Sequence, residues 1–174
     1  MISFVSMHKR LHAFLLLLFV VAAAYPADSW RIRPDGVGPV RVGMTLSQIR
    51  KMLHGELKED DPESESEDCF YVQSKQHPGV EFMILDGKLA RADVNQAHVF
   101  TPEGIQVGDS EAKVRKVYGS RVKVSHHQYF DNGHYLTVLA PNRHYGTRFE
   151  TNNGKVISYY AGRADAIEYV EGCL

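Results

Sequence analysis

The sequence has no excess of charge, few cysteines, no long apolar run and none of the short motifs that announce an active site. Lys and Arg total 20 against 21 Asp and Glu. That balance argues against nucleic acid as a partner, because phosphate binding needs a clustered basic excess. The run Leu11–Val21, apolar apart from His12, falls short of the ~20 residues that a spanning helix needs, so no membrane anchor is expected. No G-x-S-x-G elbow, P-loop or H-E-x-x-H occurs, and neither thiol is placed beside a histidine as a nucleophile would be. The chain is therefore not expected to be an enzyme. What is present is a 174-residue chain, 44% hydrophobic, enough for one domain with a real core.

The first segment reads as an address. Lys9 and Arg10 precede the apolar run, and Ala22, Ala23 and Ala24 follow it. A basic start, an apolar centre and small residues at the exit form a secretory signal peptide over residues 1–24. Cleavage is expected after Ala24 or Ala27, and no cysteine follows the run to accept a lipid. The mature protein is expected to be periplasmic or secreted from a bacterium. In that oxidising compartment the even cysteine count predicts one disulfide, Cys69 to Cys173.

After a lead-in over 25–35, the chain repeats itself. Val42-Gly43-Met44-Thr45 through Met52 matches Val107-Gly108-Asp109-Ser110 through Val117, and Phe82–Leu89 matches Phe149–Val156. The repeats are expected over 36–100 and 101–174. Thr45 and Ser110 are natural helix N-caps, and Thr45 with Gln48 has capping-box spacing. Leu46, Ile49 and Leu53 share one helical face, as do Val114, Val117 and Tyr118. Asp86-Gly87 and Asn153-Gly154 mark two hairpins, Val80–Leu85 with Lys88–Val94 and Thr147–Thr151 with Lys155–Ala161. Strands are also expected near Cys69–Ser74 and His134–Leu139, with a last edge strand at Ala166–Val170. The fold class is therefore α+β. Two tandem repeats each carry a short helix followed by about three antiparallel strands, with the helices on one face of the sheet.

Strand alternation divides the side chains. Phe82, Ile84, Phe149, Ala90, Ala92, Val94, Ile157 and Tyr159 are expected to face the helices. Glu81, Met83, Arg91, Asp93, Arg148, Glu150, Ser158 and Tyr160 then face outward, on a broad face that no remaining segment is expected to cover.

Val42-Gly43-Met44-Thr45 followed by Ile49-Arg50-Lys51-Met52-Leu53 resembles the opening of a superfamily of small exported proteins. It includes the outer-membrane assembly lipoproteins of the SmpA/OmlA type and the tandem repeats of beta-lactamase inhibitory protein. The doubled arrangement is more similar to the inhibitor, and the resemblance implies a concave sheet that grips a hydrolase. The inhibitor has a disulfide within each repeat, whereas this chain has cysteines for one that crosses between them. The lipidated cysteine of the assembly proteins is absent here.

The remaining chemistry favours recognition over catalysis. Eight acidic residues crowd the thirteen positions 56–68, a solvated loop and not a rigid acid–base site. The aromatic and histidine cluster from His126 to Tyr145 contains the Asp131-Asn132-Gly133 turn, and Tyr129, Phe130 and Tyr145 are expected exposed near loop tips. The expected partner is a protein, an envelope-acting hydrolase or toxin that the chain inhibits or neutralises as an immunity protein. The free chain is expected to be a monomer. The expected contact residues are Met83, Arg91, Asp93, Tyr129, Phe130, Tyr145, Arg148, Glu150 and Tyr160. No cofactor is expected. One rival reading is an envelope scaffolding protein; another is a small metal-binding protein or enzyme using His126, His127, His134 and His144.

Overall fold

Thr45 and Ser110 both cap helices. In the computed structural model, which describes residues 30–55, 57–59 and 68–173, α1 spans Leu46–Met52 and α2 spans Glu111–Tyr118. The expected signal peptide and most of the acidic loop lie outside the described residues. Thr45 accepts the Gln48 amide while the Gln48 side chain accepts the Thr45 amide at 2.8 Å, completing the capping box. Ser110 accepts the Lys113 amide at 3.1 Å. Helices of seven and eight residues are marginal alone and depend on packing. Ile49, Leu53, Val114 and Tyr118 supply it. Val117 does not, and stands 36% exposed because Tyr118, next along the helix, takes the core position.

Eleven strands complete the described fold. Three short ones, β1 (Ile32–Arg33), β2 (Gly36–Val37) and β3 (Val40–Arg41), form a small antiparallel sheet that buries Ile32, Val37 and Val40. The others are β4 (Leu57–Glu59), β5 (Cys69–Ser74), β6 (Val80–Leu85), β7 (Lys88–Val94), β8 (Lys123–His126), β9 (Gly133–Leu139), β10 (Tyr145–Asn152) and β11 (Lys155–Arg163). They form one antiparallel sheet in the order β4-β5-β6-β7-β11-β10-β9-β8. The two hairpins therefore meet at the centre, where Val94 pairs with Tyr159, Asp93 with Tyr160, Ala92 with Ala161 and Arg91 with Gly162. The fold is α+β, with a large antiparallel sheet and two α-helices. Among the described residues no helix is long and apolar enough to cross a membrane.

One sheet face forms the core with the helices, through Phe82, Ile84, Ala92, Val94, Phe149, Val156, Tyr159 and Ala161. Two expectations fail for one reason. The strand register shifts between Met83 and Ile84, and again between Glu150 and Thr151. Each bulge sets two residues against one, so Ala90 and Ile157 leave the core row while Leu89 and Val156 enter it. A third correction concerns Ala166–Val170. It is no edge strand: Ala166–Glu168 is a 3-10 turn, and the chain continues across the other face of the sheet to Cys173.

Candidate functional site

Pairing register fixes the face opposite the helices. One row runs Gln73, Glu81, Asp93, Tyr160, Arg148, Thr137 and Lys123, each paired with the next on the adjacent strand. Because directly paired residues point to the same side, the row grades from carboxylates on β6 and β7 to cations on β10 and β8. A parallel row runs Tyr71, Met83, Arg91, Gly162, Gly146 and Leu139. Two adjacent glycines without side chains make a trough in that second row. A Cβ at Gly146 would come within 2.7 Å of the Ile167 Cδ1, and one at Gly162 within 2.5 Å of the Arg91 Cβ.

Residues 164–173 form a strap along this trough. Strand alternation puts the outward set on this face and predicts the face open; instead the strap covers it. Met83 has no exposed surface, and Arg91, Arg148 and Tyr160 are also buried. Ala166 and Ile167 are fully buried under the strap's first turn. Arg91 donates to the Ala166 carbonyl at 2.9 Å and to the Tyr169 carbonyl at 2.7 Å. Arg148 pairs with Glu168, Tyr129 donates to Glu171, and Cys173 is bonded to Cys69 on β5.

The buried charges form one network. Arg91 grips Asp93 through Nε and Nη2, both at 2.8 Å, donates to the Tyr71 hydroxyl at 3.0 Å, and lies 4.2 Å over the Tyr160 ring. Tyr160 donates to Glu150 at 3.0 Å, and Ser158 donates to the same carboxylate at 3.2 Å. His127, buried and stacked 4.4 Å from the Tyr135 ring, closes the network 3.3 Å from Glu150. A cavity of about 220 Å³ opens beside these groups, lined by Tyr71, Glu81, Asp93, Glu150, Tyr160 and the strap residue Glu171.

Burial pushes the Asp93 carboxyl up to about 6, against the opposing pull of Arg91. A carboxyl that binds its proton more tightly in the folded chain than in the unfolded chain stabilises most when protonated. That contribution is fully present below about pH 4 and is lost as pH rises through 6. The wild type should therefore lose stability relative to Asp93→Asn between pH 4 and pH 7, by on the order of 1–3 kcal/mol. Urea unfolding of both proteins across that range checks it, and a constant difference would contradict the assignment.

Not every expected contact residue belongs to the network. Tyr129 is 55% and Phe130 39% exposed, both at the turn before β9, as expected. Tyr145 is only half-buried, at the start of β10. The histidines do not converge on one point: His127 joins Glu150, His126 and His134 pair with their rings 5.8 Å apart and His134 lies 3.0 Å from Glu111, and His144 is exposed in the β9–β10 turn. Among the described residues no three His, Cys, Asp or Glu side chains are placed to hold a metal ion.

No protein-family model and no curated protein matches the chain. Its structure is similar to the crystal structure of an extracellular protein containing an SCP domain from Bacillus anthracis str. Ames, with a TM-score of 0.50 at 10% identity. The likeness is one of fold. It covers 92% of this chain and 50% of that one, so the present chain spans half of that protein's length.

A second cavity on the same face was not visible from sequence. It measures about 460 Å³ and is lined by Arg121, Lys123, Thr137, Leu139, Ala140, Pro141, Arg143 and Glu168. The cations come from the turn after α2, from β8 and from the β9–β10 turn, which no motif links. The alternation of β8 with Thr137 was the available signal, and β8 is too short to announce itself.

Proposed function

We propose that the chain is an exported, non-enzymatic binding protein whose partner is another protein, and that it consists of two tandem helix-plus-sheet repeats. Its partner class is an envelope-acting hydrolase or toxin, which it inhibits or neutralises. The observation that carries this reading is the graded row from Glu81 to Lys123 across six strands, with a cavity at each end. The strap buries Tyr160, Arg148 and Thr137 at the middle of that row, so what it presents is its two ends, an acidic cavity and a cationic one, which favours orientation of a protein partner. The titratable groups at its centre are engaged with one another, Asp93 by Arg91 and Glu150 by Tyr160, Ser158 and His127. That arrangement suits rigidity better than proton transfer.

The repeat reading is supported by matching backbone contacts. Gly43 donates to Leu89 and Leu89 to Met44, both at 2.8 Å; Gly108 donates to Val156 at 2.8 Å and Val156 to Asp109 at 2.9 Å. The two bulges also fall at corresponding positions. Export is supported by the basic-then-apolar opening, by the disulfide, and by the extracellular description of the SCP-domain protein.

The test is capture from envelope extract with oxidised residues 25–174 as bait, compared with the Tyr129→Ala/Phe130→Ala variant. One stoichiometric protein should be retained by the wild type and lost with the variant, since exposed aromatics carry a large share of interface energy. Equal retention by both baits, or substrate turnover that depends on the histidines, would overturn the reading.

A further inference from the structure

We infer that the cavity between β8, β9 and the β9–β10 turn is a docking site for a carboxylate-bearing peptide segment of the protein partner. The inference rests on the protein-binding reading and names the chemistry that one end of the face accepts.

Three of the four charged side chains that line the cavity are cations. Arg121, Lys123 and Arg143 line it and are exposed, and among the described residues none of the three forms an ion pair. Arg121 instead stands 5.4 Å over the Tyr118 ring, which holds its guanidinium at the rim. The fourth cation on this side, Arg148, lies behind the cavity and is paired with Glu168 of the strap. The strap thus already sets one carboxylate at the cavity's edge, showing the kind of group this end of the face takes.

The walls specify more than charge. Leu139, Ala140 and Pro141 give an apolar side, and Thr137 adds a hydroxyl that already accepts from Arg148 at 3.0 Å. A compact inorganic anion uses only the cations. A peptide segment with acidic side chains uses the cations for its carboxylates and the apolar wall for its backbone and side-chain carbons. The volume, about 460 Å³ against about 220 Å³ for the acidic cavity, suits several side chains and not one ion. Arg and Lys both contribute, so bidentate and point-charge contacts to carboxylates are available together.

The experiment uses the full chain and a capped, fluorescein-labelled hexaglutamate peptide, followed by fluorescence anisotropy at roughly 20 mM salt, where screening is weak. The wild type should bind the peptide. The Arg121→Glu/Lys123→Glu/Arg143→Glu variant should bind at least about tenfold more weakly. Reversing three exposed lysines elsewhere, with Lys51→Glu/Lys75→Glu/Lys116→Glu, should change the affinity less than about twofold. The three cavity positions are on the surface, and the Arg121→Gln/Lys123→Gln/Arg143→Gln variant repeats the test with a milder change. Equal losses from both reversals would assign the effect to net charge and overturn the site. So would undiminished binding by the cavity variants, or no binding by the wild type. Displacement of the peptide by an equal concentration of inorganic phosphate would overturn the commitment to a carboxylate segment. Because the probe is a defined peptide, a failed envelope capture leaves this result standing, and a failed peptide assay leaves the Tyr129–Phe130 capture standing.

Discussion

Reducing the Cys69–Cys173 bond with a dithiol, which supplies two electrons and leaves two thiols, should lower the unfolding free energy by several kcal/mol. The bond joins residues 104 apart in sequence. In the chain-entropy model a loop of that size accounts for about 4.7 kcal/mol, because the unfolded chain regains the freedom the crosslink denied it. The native state loses something as well, and the strap shows where. Its first turn is anchored independently, since Ala166 and Ile167 are fully buried and Arg91 holds the Ala166 carbonyl. Beyond it, Tyr169 is 42% exposed, and the rest of the strap depends on Arg91, on Tyr129 and on the disulfide. Reduction should therefore release residues 170–173 while Ala166 and Ile167 stay packed, widening the cavity that Val170, Glu171 and Gly172 help to line. Urea unfolding of the oxidised protein and of Cys69→Ser/Cys173→Ser measures the stability loss. Reactivity of Tyr71 toward a tyrosine-modifying reagent measures the opening, because Tyr71 lines that cavity and Gly172 of the strap lies against its hydroxyl. An unchanged urea midpoint would show that the strap's other contacts suffice.

The strap also marks where reading from sequence stops. Asp86-Gly87 and Asn153-Gly154 announce the two hairpins because a two-residue turn with positive φ favours those residues, and Asp86, Gly87, Asn153 and Gly154 all adopt it. The same local logic finds both N-caps. Ala166–Val170 resembles an edge strand by composition alone. Yet β11 already has β7 on one side and β10 on the other, so the chain leaving it has no free edge nearby to join. That fact depends on strand order, which links residues far apart in sequence and leaves no local trace. The short strands β1 to β4 and β8 escape notice for a simpler reason: two to four residues are too few to show alternation.

For the candidate site the division is similar. Alternation places Glu81, Met83, Arg91, Asp93, Arg148, Glu150 and Tyr160 on one face, because a period of two survives across a strand. It fails at Ala90 and Ile157, where a bulge inserts a residue. It also says nothing about what lies over the face, so Met83, Arg91, Arg148 and Tyr160 look exposed in sequence and are buried in the fold. Arg121, Lys123 and Arg143 stand in three different segments and meet only through the pairing of β8 with β9 and the turn that follows.

Replacing Arg91 with methionine should cost about 3–5 kcal/mol, the range for removing one partner of a buried ion pair. Arg91 is 3% exposed, and its guanidinium donates to Asp93, to Tyr71 and to the carbonyls of Ala166 and Tyr169. Methionine fills part of the volume and supplies none of these bonds. Asp93 is then left without its counter-ion in a site where burial already raises its proton affinity, and two strap carbonyls lose their donor. Arg91→Lys should fall between, since an ammonium keeps the charge but lacks the planar fork that reaches Asp93 and the strap together. The decisive comparison is the double variant Arg91→Met/Asp93→Asn. If the cost comes from an uncompensated carboxylate, neutralising it should recover a large part of the loss; if it comes from the strap, the double variant should be no better than the single one. Either result is read from urea unfolding at pH 7, and a cost below about 1 kcal/mol for Arg91→Met would show that the pair is not buried as described. Arg91 holds the strap at Ala166 and Tyr169 and the disulfide holds it at Cys173, so their effects should not add. Reduction in the Arg91→Met background should cost less than in the wild type, because the strap whose freedom it restores has already lost its anchors.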